Sequence, residues 1–179
     1  KGYTGIGCVA PTKGDVRAIM VEGESGLLNV CWKEDKTDSG HHMGFPNWSP
    51  TNNTLTWENG AVARFYSAED PERLRGPNLS ASWCDELCSW NHMQETWDML
   101  LMCLRKGNNP QILISTTPKP SKLLINLHQQ SQDSPEKVVL VSGSSYENSD
   151  NINLDALSSF EGTRLGRQEL YAEILMQAA

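Results

Sequence analysis

The sequence predicts an α/β domain built on a mostly parallel β-sheet. Short apolar segments alternate along the chain with segments of helical periodicity, which is the pattern of parallel strands joined by crossover helices. Two successive strands end in polar clusters, Asp85-Glu86 and Thr116-Thr117. Because the carboxyl ends of parallel strands share one edge of a sheet, we expect both clusters at the edge where α/β proteins bind ligands.

The chain opens with the pattern of a strand followed directly by a helix. Residues 6–10 form a short apolar run that is typical of a buried strand. Thr12 is a suitable N-cap, and Val16, Ile19 and Met20 recur on one face of the helix that follows. A strand and helix in direct succession make one βα unit of a parallel sheet.

A polar loop and a hairpin come next. Residues 31–53 are rich in Asp, Gly, Asn, Ser and Pro, which predicts a surface loop. Residues 55–66 contain Asn59-Gly60 between two strand-like runs, and Asn-Gly is the strongest short-range signal for a tight β-hairpin turn.

The second half predicts further strands and helices. The helix after the Asp-Glu pair carries an apolar stripe, which we interpret as core packing, made of Met93, Trp97, Leu100, Leu101 and Leu104. Apolar segments then predict a strand over 111–115, a helix around residues 123–127 and a buried strand over 137–141. Residues 163–175 predict a helix of mixed charge.

The Asp85-Glu86 pair allows two interpretations. Adjacent carboxylates at a strand end suit a metal–nucleotide site, in which the first holds Mg²⁺ and the second orients or deprotonates an attacking water. The alternative is a pair of acids that merely starts a helix, where negative charge suits the helix dipole. The dipeptide alone favours the second interpretation, because acids at helix starts are common.

Composition limits the class of protein. A hydrophobic content of 38% with 21% charged residues fits a globular chain, and no apolar run reaches membrane-spanning length. The net charge of −7 argues against a free-standing nucleic-acid binder. Five cysteines without paired spacing indicate free thiols in a reducing cytosol, and Cys84, Cys88 and His92 lack the second pair that a structural zinc site needs.

A set of short motifs extends over nearly the whole chain, and each is weak by itself. The motifs are Val9-Ala10-Pro11-Thr12, Leu55-Thr56-Trp57-Glu58-Asn59-Gly60-Ala61, Tyr66-Ser67-Ala68-Glu69, Glu72-Arg73-Leu74-Arg75-Gly76-Pro77, Trp83-Cys84-Asp85-Glu86-Leu87, Glu95-Thr96-Trp97-Asp98, Thr116-Thr117-Pro118-Lys119-Pro120 and Glu161-Gly162-Thr163-Arg164-Leu165-Gly166-Arg167-Gln168-Glu169. In this order they resemble the ATPase domain of the large terminase subunit of tailed bacteriophages. That domain is the motor that packs DNA into the procapsid.

The resemblance implies a P-loop NTPase-like fold of the class with a catalytic glutamate, and roles for five residues. Asp85 would be the Walker B ligand of Mg²⁺, and Glu86 would position water for ATP hydrolysis. Thr116 and Thr117 would belong to the coupling motif near the γ-phosphate. Arg75 would be an arginine finger that reaches the site of a neighbouring subunit, whereas base rates alone favour a solvated surface arginine.

The resemblance also implies partners and a larger protein. The partners would be further copies in a homo-oligomeric ring, the portal protein, the terminase small subunit and double-stranded DNA, in the host bacterial cytoplasm with the motor docked on the procapsid and without membrane contact. No Gly-x-x-x-x-Gly-Lys-Ser/Thr sequence, the cradle for nucleotide phosphates, occurs in the 179 residues. We therefore expect a partial ATPase core over 1–143, a helical lid or linker over 144–179 leading toward an absent nuclease domain, and no useful ATPase activity from this piece alone.

Two other interpretations stay open at this point. Another ATPase of the same broad class, such as a helicase, would also carry an Asp-Glu pair and a threonine-rich coupling motif. A non-catalytic α/β binding module, or the remnant of an enzyme, would retain Asp85 and Glu86 only as helix-start acids.

Overall fold

The computed structural model describes residues 4–31, 44–148 and 161–174. The chain forms two compact units, Lys1–Thr116 and Thr117–Ala179. The division of roles at residue 143 that the sequence predicts concerns function, and it stays a prediction.

The first unit is organised around a six-stranded mixed sheet. Its strands are β1 Gly5–Ala10, β2 Asn47–Ser49, β3 Thr54–Thr56, β4 Val62–Ser67, β5 Ala81–Cys84 and β6 Gln111–Ile114. Their order across the sheet is β2-β3-β4-β1-β5-β6. The ladders β4-β1-β5-β6 are parallel, and the two ladders that join β2, β3 and β4 are antiparallel. The predicted mostly parallel α/β sheet is confirmed.

The described residues contain five helices. They are α1 Lys13–Asp15, which continues into a π-helical turn over Val16–Val21, α2 Leu27–Val30, α3 Met93–Cys103, α4 Lys122–Asp133 and α5 Arg164–Glu169. Short 3₁₀ turns cover Pro71–Leu74, Leu87–Ser89 and Ser145–Asn148. In the part of the chain that the structure describes, no helix is long and apolar enough to cross a membrane.

Strand β1 lies in the interior of the sheet, and its small residues permit close packing. It pairs with β4 on one side and β5 on the other, and Cys8, Val9 and Ala10 are almost fully buried. Gly7 lies against Leu79, so that a Cβ at this position would come within 2.6 Å of Leu79 Cδ1. The glycine is therefore required by the close approach of the segment that leads into β5.

The helix after β1 begins as the sequence predicts and then departs from it. Thr12 and Asp15 form a capping box, in which the Thr12 hydroxyl accepts the Asp15 N–H and the Asp15 carboxylate accepts the Thr12 N–H. Val16 and Met20 are buried as predicted, but the prediction for Ile19 is wrong, since 49% of it is exposed. A π-helical turn brings residues five apart onto one face. Val21 thus replaces Ile19 in the core.

The predicted hairpin is confirmed, and the predicted loop before it is wrong in part. Gly60 has a φ of 82° in the turn between β3 and β4, a conformation that favours glycine. The interval 31–53 was predicted to be loop, yet it contains β2 at Asn47–Ser49. Trp48 makes an edge-to-face contact with Phe65 at 5.6 Å between ring centroids, so an aromatic contact stabilises a strand whose composition is polar. Residues 32–43 of that interval lie outside the described residues.

Helix α3 packs with a slightly different face from the predicted one. Its buried residues are Thr96, Trp97, Leu100 and Cys103, whereas Leu101 is 47% exposed. The buried positions recur at i, i+1, i+4 and i+7, which is the usual spacing of one helix face. Leu101 falls beyond the edge of that face.

Two predictions for the second unit need correction. The strand predicted over 137–141 is absent, and Val139 and Val141 are 80% and 89% exposed. A strand needs a neighbouring edge to satisfy its backbone groups, and among the described residues this segment forms no ladder with another strand. The tail helix is confined to Arg164–Glu169, and Ala172 beyond its end takes a left-handed conformation with a φ of 50°. Residues 175–179 lie outside the described residues.

Candidate functional site

The four parallel strands deliver polar residues to one edge of the sheet. β1, β4, β5 and β6 end at Ala10, Ser67, Cys84 and Ile114, and the register aligns these ends. The residues that follow the strands include Thr12, Glu69, the Asp85-Glu86 pair and Thr116. As predicted, the sheet therefore brings the Asp-Glu pair and the start of the threonine cluster to the same edge.

Asp85 is held at this edge by three hydrogen bonds. Its N–H donates to the Val9 carbonyl at 2.9 Å, and its own carbonyl accepts the Trp90 indole N–H at 2.9 Å. Its Oδ1 accepts the Ser115 hydroxyl at 2.8 Å. The half-buried carboxylate thus has a fixed backbone and one oriented oxygen.

Glu86 has an unusual backbone. Its φ of 47° and ψ of 51° lie in the left-handed region, which a non-glycine residue occupies at a cost of about 1–3 kcal/mol. Such strain concentrates at active sites and switch regions, because the surrounding structure has to enforce it. A glutamate that merely started a helix would need no such conformation. The backbone of Glu86 therefore favours a functional role over the helix-start interpretation.

The segment after β6 is hydrogen-bonded to the turn that contains Glu86. Leu87 N–H donates to the Ser115 carbonyl at 3.3 Å, and Cys88 N–H donates to Thr116 Oγ1 at 3.0 Å. The sequence motif points to Thr116 and Thr117 but not to Ser115. Its position as the first residue after an apolar strand, opposite Asp85 on the next strand, was the signal available.

A second polar group lies where β1 and β4 end. Glu69 Oε2 accepts the Lys13 backbone N–H at 3.0 Å and the Ser67 hydroxyl at 2.9 Å. These bonds, the Lys13 N–H first, hold the pKa of Glu69 below its usual value. Glu69 thereby connects the loop after β4 to the start of α1.

Arg75 lies away from its own Asp-Glu pair. The carbonyl of Leu74, the preceding residue, accepts the Cys103 thiol, and the carbonyl of Cys103 accepts the N–H of Leu79, just before β5. Arg75 therefore lies near the amino end of β5, about 15 Å of strand length from Asp85 at 3.3 Å per residue. Its exposed side chain pairs with Glu72 at 2.5 Å.

The sequence matches the family model of the terminase large subunit, T4likevirus-type, N-terminal, over residues 1–159. The chain belongs to this family. The family membership confirms the function predicted from the sequence, a motor ATPase of phage DNA packaging that acts in the host cell with DNA and other packaging components. It favours the terminase over the helicase-like ATPase and the non-catalytic module.

A solved structure supports the fold. The large terminase ATPase domain of Thermus phage P74-26 superposes with a TM-score of 0.52 at 16% sequence identity, covering 96% of this chain and 77% of that chain. At this identity the likeness concerns the fold, and it confirms the P-loop NTPase-like α/β architecture. No curated protein matches the sequence.

The donor set of this terminase domain suits Mg²⁺ bound together with a nucleotide. Within the described ranges, no group of three or more His, Cys, Asp or Glu side chains is placed to hold a metal ion by itself. Mg²⁺ usually takes only one or two carboxylates and completes its shell with water and substrate phosphates. Asp85, with one oxygen fixed by Ser115, fits that pattern. The neighbouring Cys84 thiol is buried, and burial raises its pKa to about 12.

Proposed function

We propose that Asp85 and Glu86 are the metal-binding and catalytic carboxylates of an ATP-hydrolysing packaging motor. The observation that carries this assignment is the left-handed backbone of Glu86, directly after a carboxylate oriented at the carboxyl edge of the sheet. Strain at this position is understandable if the direction of the Glu86 side chain matters for chemistry.

In this mechanism the two carboxylates have different tasks. When bound, Mg²⁺ neutralises charge on the nucleotide phosphates. Asp85 would hold the ion through the carboxylate that Ser115 orients. Glu86 accepts a hydrogen bond from the attacking water, aligns it with the γ-phosphorus and takes up its proton as the new bond forms. The displaced ADP then leaves with the electron pair of the broken bond.

The experiment compares two isosteric amides in the terminase large subunit that contains this chain. Glu86→Gln should still bind Mg·ATP but lose turnover, since an amide keeps the shape and is no base. Asp85→Asn should instead raise the Mg²⁺ concentration needed for binding. Glu58→Gln, in the exposed hairpin turn, is the matched control and should behave as the parent protein. Hydrolysis at the parent rate by both Glu86→Gln and Asp85→Asn would refute the site.

We also propose that Arg75 serves the site of a neighbouring subunit in a homo-oligomeric ring. Its distance from its own Asp85, its exposure and the outward turn at Gly76, with a φ of 108°, all support a role in trans. An arginine finger contributes roughly 10³–10⁵ to the rate in well-studied cases. Release from Glu72 would free the guanidinium for a neighbour's γ-phosphate.

Mixing subunits tests the role of Arg75. Arg75→Ala subunits and Glu86→Gln subunits should each be inactive, and their mixture should recover ATPase activity because one supplies the finger and the other the base. Arg73→Ala, two positions away and paired with Asp70, is the matched control and should remain active. An active Arg75→Ala protein, or no recovery in rings that demonstrably contain both variants, would return Arg75 to the surface-residue interpretation.

The remaining assignments concern coupling and partners. We propose that Thr116 and Thr117 respond to the γ-phosphate of ATP, and that the motor acts with double-stranded DNA, the portal protein and the terminase small subunit, docked on the procapsid in the bacterial cytoplasm. Support comes from the family and from the location of Thr116 beside the Asp-Glu turn. Thr117 begins the second unit, and its role stays a prediction.

A further inference from the structure

We infer that Ser115 and Thr116, the two residues after β6, form a clamp that positions both proposed carboxylates. Ser115 orients Asp85, and Thr116 maintains the left-handed backbone of Glu86. The inference rests on the proposed function of Asp85 and Glu86, and it adds two positioning residues to that site.

The clamp makes three hydrogen bonds, and they lie on both sides of Glu86. Before it, the Ser115 hydroxyl donates to Asp85 Oδ1 at 2.8 Å. After it, Leu87 N–H donates to the Ser115 carbonyl at 3.3 Å, and Cys88 N–H donates to Thr116 Oγ1 at 3.0 Å. Together with the bond from Asp85 N–H to the Val9 carbonyl, they fix the chain at residues 85, 87 and 88.

These bonds explain how Glu86 keeps a strained conformation. A left-handed glutamate relaxes to an ordinary backbone region unless its flanking residues are held in place. Relaxation rotates the peptide groups on either side and therefore redirects the Cα–Cβ bond of Glu86. Since a base must lie within hydrogen-bond reach of its water, a redirected side chain no longer aligns it. Of the two bonds that follow Glu86, the Cys88–Thr116 bond has a side-chain acceptor, so a substitution can remove it.

Ser115 acts on Asp85 through the single proton of its hydroxyl. That proton has two acceptors in range, Asp85 Oδ1 at 2.8 Å and the Cys84 carbonyl at 3.4 Å. The carboxylate is the stronger acceptor because it is charged and closer. The Trp83 indole N–H donates to the same oxygen at 3.4 Å, which turns the hydroxyl proton away from the indole. With Oδ1 engaged, rotation of the carboxylate is restricted, and Asp85 would present the ion with a fixed carboxylate.

The first test compares Thr116→Val with Thr116→Ser in the complete large subunit. Valine keeps the shape but cannot accept the Cys88 N–H, whereas serine retains an oxygen there. We expect Thr116→Val to lower kcat about tenfold, equivalent to about 1.4 kcal/mol, with less than a twofold change in the KM for ATP. Thr116→Ser should recover most of the rate. Thr56→Val, on an exposed position of β3, is the matched control.

A second readout does not depend on activity. Crystallography or NMR of Thr116→Val should show residue 86 outside the left-handed region, and Thr116→Ser should keep it inside. A Thr116→Val protein whose residue 86 stays left-handed at full kcat would overturn the clamp. Equal losses of kcat in the serine and valine variants would also overturn it, because serine retains the oxygen that accepts the Cys88 N–H and should preserve most of the rate.

The last test addresses Ser115. Ser115→Ala should raise the Mg²⁺ concentration for half-maximal ATPase activity about threefold to tenfold, while Ser49→Ala on β2 leaves it unchanged. An unaltered Mg²⁺ dependence in Ser115→Ala would refute the Asp85 half of the clamp. If instead Glu86→Gln retained full activity in the same assay while Thr116→Val still displaced residue 86, the proposed catalytic role would fail and the structural clamp would stand.

Discussion

The left-handed backbone of Glu86 leads to a prediction that stability measurements can decide without any enzymatic assay. Replacement by Gly and by Ala removes the same carboxylate, together with whatever that side chain contacts. The two variants then differ in the backbone preference of residue 86. At an ordinary position alanine is the more stable of the two by about 0.5–1 kcal/mol, because glycine loses more conformational freedom on folding.

At residue 86 the order should reverse. Alanine at a φ of 47° retains a strain of roughly 1–2 kcal/mol, whereas glycine adopts this region without cost. Subtracting the entropic cost of glycine leaves the Glu86→Gly variant more stable than Glu86→Ala by about 0.5–1 kcal/mol. The same pair of substitutions at Glu95 in α3 should show alanine ahead by about the same amount. The difference in unfolding free energy between the Gly and Ala variants should therefore have opposite signs at residues 86 and 95, and the two differences should lie about 1–2 kcal/mol apart.

Urea unfolding followed by tryptophan fluorescence is the appropriate assay. All six tryptophans lie in the first unit, so the signal reports on the unit that contains Glu86. The midpoints of the four variants, with equal slopes, give the two differences directly. Equal stability of the Glu86→Gly and Glu86→Ala variants, or the same order at residues 86 and 95, would contradict the strained backbone and remove the main support for the catalytic assignment.

Two further predictions concern Glu69 and Thr117. Hydrogen bonds from Lys13 N–H and the Ser67 hydroxyl lower the pKa of Glu69 from its ordinary value of 4.5, so its contribution to stability is complete above pH 4.5 and is lost as the pH falls through the lower folded value. The urea midpoint of Glu69→Gln should therefore fall less on acidification than that of the parent chain, and a fall as steep as in the parent or in Glu58→Gln would contradict the assignment. Thr117→Val is nearly isosteric and should leave ATP hydrolysis largely intact while it slows DNA packaging; an unchanged packaging rate, as expected for Thr56→Val, would remove the coupling role.

Much of the sheet could be predicted because its information is local. β1 and β6 are short apolar runs bounded by polar residues, and the hairpin is marked by Asn59-Gly60. The polar clusters at strand ends then followed from the geometry of parallel strands. The family motifs assigned roles to residues that the pattern alone could only place at an edge.

The errors occur where a tertiary contact overrides the local pattern. β2 forms within a polar segment because Trp48 packs against Phe65 and its backbone pairs with β3. The valine-rich segment over 137–141 has the composition of a strand but forms no ladder among the described strands. Composition decides whether a segment suits a strand, and a partner edge decides whether it becomes one.

The sequence predicts the residue types of the candidate site but not its geometry. Asp85 and Glu86 are candidates because they end a short extended segment, yet no sequence pattern shows that Glu86 is left-handed. That conformation depends on bonds from Ser115 and Thr116, thirty residues downstream on the neighbouring strand. A carboxylate pair becomes a candidate catalytic site only when the next strand ends in groups that can hold its turn. The candidate functional unit is therefore the pair of strand ends, β5 with β6, rather than the Asp-Glu dipeptide.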